Sequence, residues 1–156
     1  MTGNIKDSYN FRVINDRLTS SGVVGKDRLR ALASQGYQVV INLLPDTSEH
    51  AVPDERNIVE SQRLEYIHIP VDFARPEQSD FAQFSDAMDR TSNKKAHLHC
   101  AANYRVSAFY SLFAIKRGYW DVEQGLDFIH SLWRPADYPG WSEFIAEILG
   151  EGSGPA

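Results

Sequence analysis

The run Tyr37-Gln38-Val39-Val40-Ile41-Asn42-Leu43-Leu44, ended by Pro45, constrains this chain more than any other feature. It is β-branched and apolar with no regular polar alternation, so a strand built from it must be covered on both faces, as strands of a parallel sheet are. Tyr66-Ile67-His68-Ile69-Pro70-Val71 reads as another short strand, and Ala96-His97-Leu98-His99 as a third buried one. Phe11 to Ile14 is a short segment, apolar at alternate positions, which the polar stretch Thr19-Ser20-Ser21-Gly22 breaks.

Helical patterns separate the strands. Leu29, Leu32 and Ala33 recur at helical spacing before Gly36, a C-cap, and Asp54 to Arg63 is polar and weakly helical. Phe81, Phe84, Ser85 and Met88 mark a helix face, with Ser79 as its cap and Asp80 in its first turn. A helix from about Val106 to Lys116 turns Ala108, Phe109, Leu112 and Phe113 inward and closes at Gly118. Two more follow, with Val122, Leu126, Ile129 and Trp133 on one face and Phe144, Ile145, Ile148 and Leu149 on the other's, parted by Pro135 and Pro139. Strands alternating with helices predict an α/β fold, a mainly parallel central sheet flanked by helices in three layers. The three tryptophans, Trp120, Trp133 and Trp141, fall at core-facing positions or turns.

At 156 residues there is room for one domain, over 1–150, with a Gly- and Ser-rich flexible tail over 151–156. A hydrophobic share of 42% supplies a core and argues against disorder. A formal net charge of -5 disfavours nucleic acid and anionic membranes as partners. The lone cysteine, Cys100, forms no intrachain disulfide, which fits a reducing compartment. The first residues lack a basic start and apolar run, and no stretch approaches the ~20 apolar residues of a membrane span, so a cytoplasmic protein is expected.

Chemistry concentrates in His97-Leu98-His99-Cys100-Ala101-Ala102-Asn103-Tyr104-Arg105-Val106-Ser107. A strand ends, a cysteine stands at its carboxyl edge, and a short loop with an arginine enters a helix. Ligands of open α/β sheets bind outside the carboxyl ends of the strands, and a loop wrapped at a helix N-terminus presents several amides to an anion. A thiol in that field beside an arginine is favoured as the thiolate, the nucleophilic form. The planar fork of Arg105 holds two oxygens of a tetrahedral oxyanion and stays charged throughout. Taken alone, Cys100 reads as a small core residue and Arg105 as a surface ion-pair partner; their order in the chain favours attack on phosphorus. His99, alternating with Cys100 across the strand, steadies the loop through hydrogen bonds rather than acting as a base. His68, His97 and Cys100 lack the spacing of a zinc site, so no metal is expected.

The segment His99 to Arg105 resembles the phosphate-binding loop of cysteine-dependent tyrosine and dual-specificity phosphatases, where a His-Cys pair is followed by an arginine that closes the loop. The usual spacing there is five residues between Cys and Arg; here four intervene. The shorter loop is similar to that of a small bacterial phosphatase-like family, related to the N-terminal domain of beta-lactamase-hydrolase-like proteins, and it also resembles the rhodanese loop. The resemblance to the bacterial family runs from Phe11 through the helix after Arg105. It implies a cysteine-phosphatase-like α/β fold. Two positions depart from the pattern: Asn103 stands where a glycine is usual, and Val106 rather than Ser or Thr follows Arg105. Asn tolerates positive φ best among non-glycine residues. Ser107, one residue later, is the candidate substitute for the missing hydroxyl, although helix geometry turns it by about 100°.

The expected function is hydrolysis of phosphate monoesters of a protein or small molecule, without a cofactor. The resemblance implies Cys100 as nucleophile, Arg105 and the loop Ala101, Ala102, Asn103, Tyr104 and Val106 as the oxyanion cradle, with Ser107 also on the substrate side, and an acid on a loop after an earlier strand. Asp72 occupies that place, ahead of Asp46, Glu49 and Asp80; Glu49 and His50 are rim candidates. Tyr104 projects from the loop, to stack on a substrate or to form a rim contact. A sulfurtransferase carrying a Cys100 persulfide and a non-catalytic phosphate-binding module are the alternatives.

Overall fold

The computed structural model describes residues 3–153, with side chains through 150. In chain order the elements are β1 (Arg12–Val13), β2 (Leu18–Ser21), α1 (Lys26–Arg30), β3 (Val39–Asn42), α2 (Glu55–Glu60), β4 (Glu65–His68), α3 (Gln78–Arg90), β5 (Ala96–His99), α4 (Tyr104–Lys116), α5 (Val122–His130) and α6 (Pro139–Ser153). The sheet order is β1-β2-β5-β3-β4. β2, β5, β3 and β4 run parallel, and only the edge strand β1 is antiparallel. The chain is therefore an α/β fold with a mainly parallel sheet, as the unbroken apolar runs require.

β5 inserts between β2 and β3, so its carboxyl end opens at the middle of the sheet. The pleat sends alternate residues to two cores. Val39, Ile41, Ala96 and Leu98 join the larger core with Phe84, Phe109, Leu112, Ile129 and Trp141 from α3 to α6. Val40 joins the smaller one with Val24, Leu29, Leu32, Tyr37 and Val59 beside α1 and α2. Among the described residues no helix is long and apolar enough to cross a membrane.

Three local expectations are corrected. Thr19, Ser20 and Ser21 do not break the chain's order; they form β2, fully buried, because each hydroxyl finds a partner on β5, its loop or β3's approach. The cap of α3 is Glu77, not Ser79: Glu77 starts a capping box in which its own amide donates to Asp80 Oδ2 at 3.2 Å. Val122 is 47% exposed and lies at the first position of α5, before its apolar face begins. α6 runs through Gly150 to Ser153, and the remainder of the Gly- and Ser-rich tail lies outside the described residues.

Candidate active site

Cys100 follows β5 directly and is fully buried at the edge of the larger core. Its amide donates to Ser21 O at 3.4 Å, and Leu43 N donates to His99 O at 2.9 Å, so β2 and β3 hold the strand end from both sides. The loop that follows turns at Asn103, which adopts φ 68° and ψ 9° as the residue before α4. Asn thus takes the left-handed conformation that glycine takes most freely. The amide of Ser107 reaches Asn103 O at 3.0 Å, the first helical bond. The amides of Tyr104, Arg105 and Val106 precede any intrahelical acceptor and carry the positive end of the α4 dipole.

The loop rests on remote backbone. Val23 N donates to Ala101 O at 3.0 Å and Gly22 N to Tyr9 O at 2.7 Å. A Cβ on Gly22 would stand 2.4 Å from Ala101 O and 3.0 Å from Ala102 Cα, so only glycine permits this approach. Asn103 Nδ2 donates to Asn10 O at 2.9 Å and to Ser20 Oγ at 3.0 Å, and Asn10 Nδ2 donates to Ala102 O at 3.0 Å.

Arg105 is half-buried, and its guanidinium lies over the Phe73 ring at 5.2 Å. Its Nε is buried without a hydrogen-bond partner, and among the described residues no carboxylate pairs with it. Phe73 also packs on Tyr104, Trp133, Tyr138 and Trp141, and Trp141 Nε1 donates to Phe73 O at 2.8 Å. Asp72 is therefore tethered one residue from the ring that carries Arg105. It is exposed, and its Oδ1 accepts from Ala74 N at 2.9 Å. Tyr104 stacks on Trp133, ring centroids 4.7 Å apart and the two planes nearly parallel. Burial, with Tyr138 and Tyr9 nearby, raises its phenol above the ordinary value.

The hydroxyl of Ser107 donates to Tyr104 O at 3.0 Å and accepts from Trp133 Nε1 at 3.0 Å. His99 points to the other side of the sheet, where its Nε2 meets Glu55 Oε2 of α2 at 2.5 Å; its Nδ1 is buried and unpartnered. His97 lies behind it. Ser21 Oγ spends its hydrogen on Gly22 O at 2.8 Å, so His97 Nε2 donates to Ser21 Oγ at 2.8 Å and Nδ1 accepts from Thr19 Oγ1 at 2.8 Å. Tyr37 OH completes the chain by donating to Thr19 Oγ1 at 2.7 Å. Burial, and then the neighbouring His99, hold His97 well below its ordinary pKa.

The remaining candidates lie elsewhere. Asp46 lines a separate cavity of about 520 Å³ with Asp54, Tyr66 and His68, and Glu49 and His50 are exposed on the segment between β3 and α2. Asp80 belongs to the α3 cap; burial, then Glu77 and Asp72, raise its carboxyl. Among the described residues no three His, Cys, Asp or Glu side chains converge to hold a metal ion. Asn10, Ser20, Gly22, Glu55 and Phe73 were not among the expected site residues; the only local signal was the Asn and Gly content near the turns.

A thiol at the carboxyl end of a central parallel strand, a tight turn and an arginine opening the next helix stand on a fold of the tyrosine-phosphatase-like class. The chain is similar to the DUF442 protein of Shewanella putrefaciens CN-32 in two crystal structures. In one the identity is 33%, the TM-score 0.83, and the match covers 96% of this chain and 98% of that one; in the other they are 34%, 0.85, 95% and 96%. The chain belongs to the DUF442 family, whose fold is phosphatase-like. Tk-PTP in its active form shares the fold at 19% identity and a TM-score of 0.72, covering 89% of this chain and 95% of its own. TpbA of Pseudomonas aeruginosa does so at 15% and 0.71, covering 91% and 88%. No protein-family profile and no curated protein matches the chain.

Proposed function

We propose that the protein hydrolyses phosphate monoesters through a phosphocysteine on Cys100. The observation that carries this reading is Arg105: half-buried at the start of α4, with an unpartnered buried Nε and no carboxylate paired with it among the described residues, it is a cation in need of an oxyanion. The membership in the DUF442 family and the phosphate-loop order of the residues support it.

In this reading Cys100 Sγ attacks phosphorus in line, an S–P bond forms as the P–O bond to the leaving group breaks, and Asp72 gives its proton to the departing oxygen. Arg105 and the amides of Ala101 to Val106 bind the equatorial oxygens, where positioning and charge stabilisation supply most of the rate. Asp72 then accepts a proton from the water that cleaves the S–P bond. Phosphate and the Cys100 thiolate result, with Asp72 again protonated and no cofactor needed. A reducing, cytoplasmic setting suits the lone thiol. Because Cys100 has no exposed surface, the segment around Phe73 or the loop shifts to admit substrate.

The test is turnover of a broad panel of aryl and alkyl phosphates. Cys100→Ser abolishes phosphate release, and Asp72→Asn slows it by 10²–10⁴, as loss of a general acid does, with the larger loss on poor leaving groups. Absence of Cys100-dependent release across the panel overturns the proposal. Full activity of Asp72→Asn with sulfur transfer to a thiophilic acceptor points to persulfide chemistry instead.

A further inference from the structure

Resting on that reading, we infer that Asn10 is a positioning residue of the phosphate loop, joined to Asn103 in a reciprocal latch that replaces the freedom of a glycine. Asn10 lies 92 residues before Ala102 in sequence, yet its Nδ2 donates to Ala102 O at 3.0 Å. Its own carbonyl accepts from Asn103 Nδ2 at 2.9 Å. The two bonds close a ring around the turn. Both members hold positive φ, 54° at Asn10 and 68° at Asn103, the strained region that persists where surroundings over-determine it. The second Asn103 bond, to Ser20 Oγ at 3.0 Å, fixes the side chain that makes the latch.

A glycine at 103 would reach this conformation without help but would leave the loop free to sample others. Asn103 instead turns left-handed while its Nδ2 is tied down at two acceptors, so the direction of the following amides is set by Asn10 and by the close passage of Gly22 under Ala101 and Ala102. Neither Asn10 nor Gly22 belongs to the Cys-to-Arg segment. Their effect on chemistry passes through loop geometry, and misplacement of an oxyanion donor by a fraction of an ångström weakens it steeply.

Asn10→Gly is the informative variant, because glycine adopts the positive φ without strain and lacks the side-chain amide, and Asn10→Asp controls for the backbone freedom that glycine adds. KM for aryl and alkyl phosphates and Ki for inorganic phosphate are expected to rise about tenfold together, the size of one buried hydrogen bond, while the leaving-group dependence governed by Asp72 stays unchanged. Asn10→Asp keeps the backbone preference but sets a carboxylate against Ala102 O, and loses at least as much. Amide hydrogen exchange at Asn103 to Arg105 quickens in both variants without any ligand. In Asn103→Gly the further change Asn10→Gly costs less than it does alone. KM and Ki within twofold of wild type in Asn10→Gly overturn the inference, whatever happens to thermal stability. Should wild type neither release nor bind phosphate, the proposed function falls, and the exchange comparison alone decides the latch: unchanged exchange overturns it.

Discussion

Ser107 shows why position one residue along a helix is not equivalent. As the stand-in for a hydroxyl directly after Arg105, it would ease departure of the thiolate from phosphorus. Its Oγ instead donates to Tyr104 O and accepts from Trp133 Nε1, and it is fully buried. Both hydrogen-bond roles of that hydroxyl are thus spent on α4 and the segment after α5. Ser107→Ala is therefore expected to cost about 1 kcal/mol of stability, by stranding the indole N–H. Pre-steady-state burst and steady-state rate should both change less than twofold. A steady-state rate lowered tenfold with an unchanged burst would mean that Ser107 acts on the second step after all.

Residues of the loop divide by what a sequence can carry. Cys100 and Arg105 stood out because a strand, a thiol, a short turn, an arginine and a helix are consecutive, and their order survives in any local reading. Asn103 was legible as a residue tolerant of positive φ, and it does hold φ 68°. Glu55 was not legible, because its link to His99 spans 44 positions and a carboxylate in the weakly helical Glu55–Glu60 segment looks like any solvated charge. Proximity of that kind is a product of the fold.

Among the elements, the apolar strands were the easiest to foresee and β2 the hardest. Ala96–His99 emerges with the bounds expected of it, since burial on both faces demands apolar or paired side chains and the run supplies them. Leu18–Ser21 carries almost no apolar signal; its hydroxyls are stabilised by Tyr37, by Asn103 and by a histidine on β5, 76 and 78 positions away from the two residues that bind it. Polar strands of this sort are written in their partners.

The segment after β4 has an element-scale consequence. Phe73 lies beneath Arg105 and is fastened by the bond from Trp141 Nε1 at 2.8 Å. Cys100 has no exposed surface, so reagents reach it only through local opening. Trp141→Phe keeps an aromatic ring in the cluster but deletes the bond and some volume, for about 2 kcal/mol of stability. Alkylation of Cys100 by iodoacetamide should then accelerate at least fivefold under native conditions. An unchanged rate in a variant of lowered thermal stability would show that opening proceeds elsewhere, away from the Phe73 segment.

At the scale of the molecule, the two faces of the sheet do different work. The α3 to α6 side is a large apolar core that sets Arg105 and its aromatic support in place. The α1 and α2 side is smaller and carries the polar chain Tyr37, Thr19, His97 and Ser21 up to Gly22, where the phosphate loop rests. With Ser21 Oγ donating to Gly22 O, that chain runs in one direction while His97 is neutral with its proton on Nε2; a proton on Nδ1 would donate to Thr19 Oγ1 and turn the Thr19 hydrogen toward Tyr37 OH.

The pH dependence of folding follows from it. Burial and the neighbouring His99 depress the native pKa of His97 well below the ordinary 6.5. The unfolded chain takes up this proton near that ordinary value while the folded one does not, so below it the unfolded state binds more protons. The stabilisation is full above pH 6.5 and is lost as the pH falls through it, by up to about 1.4 kcal/mol per pH unit from this group. Urea midpoints followed by tryptophan fluorescence should fall between pH 7.5 and 5.5 in the wild type. In His97→Gln, which keeps a donor and an acceptor but cannot titrate, the midpoint starts lower and the slope over the same interval is flatter by that amount. An equal slope in the two proteins would mean that His97 admits its proton in the folded state, and with it that the hydroxyl chain beneath the loop tolerates reversal.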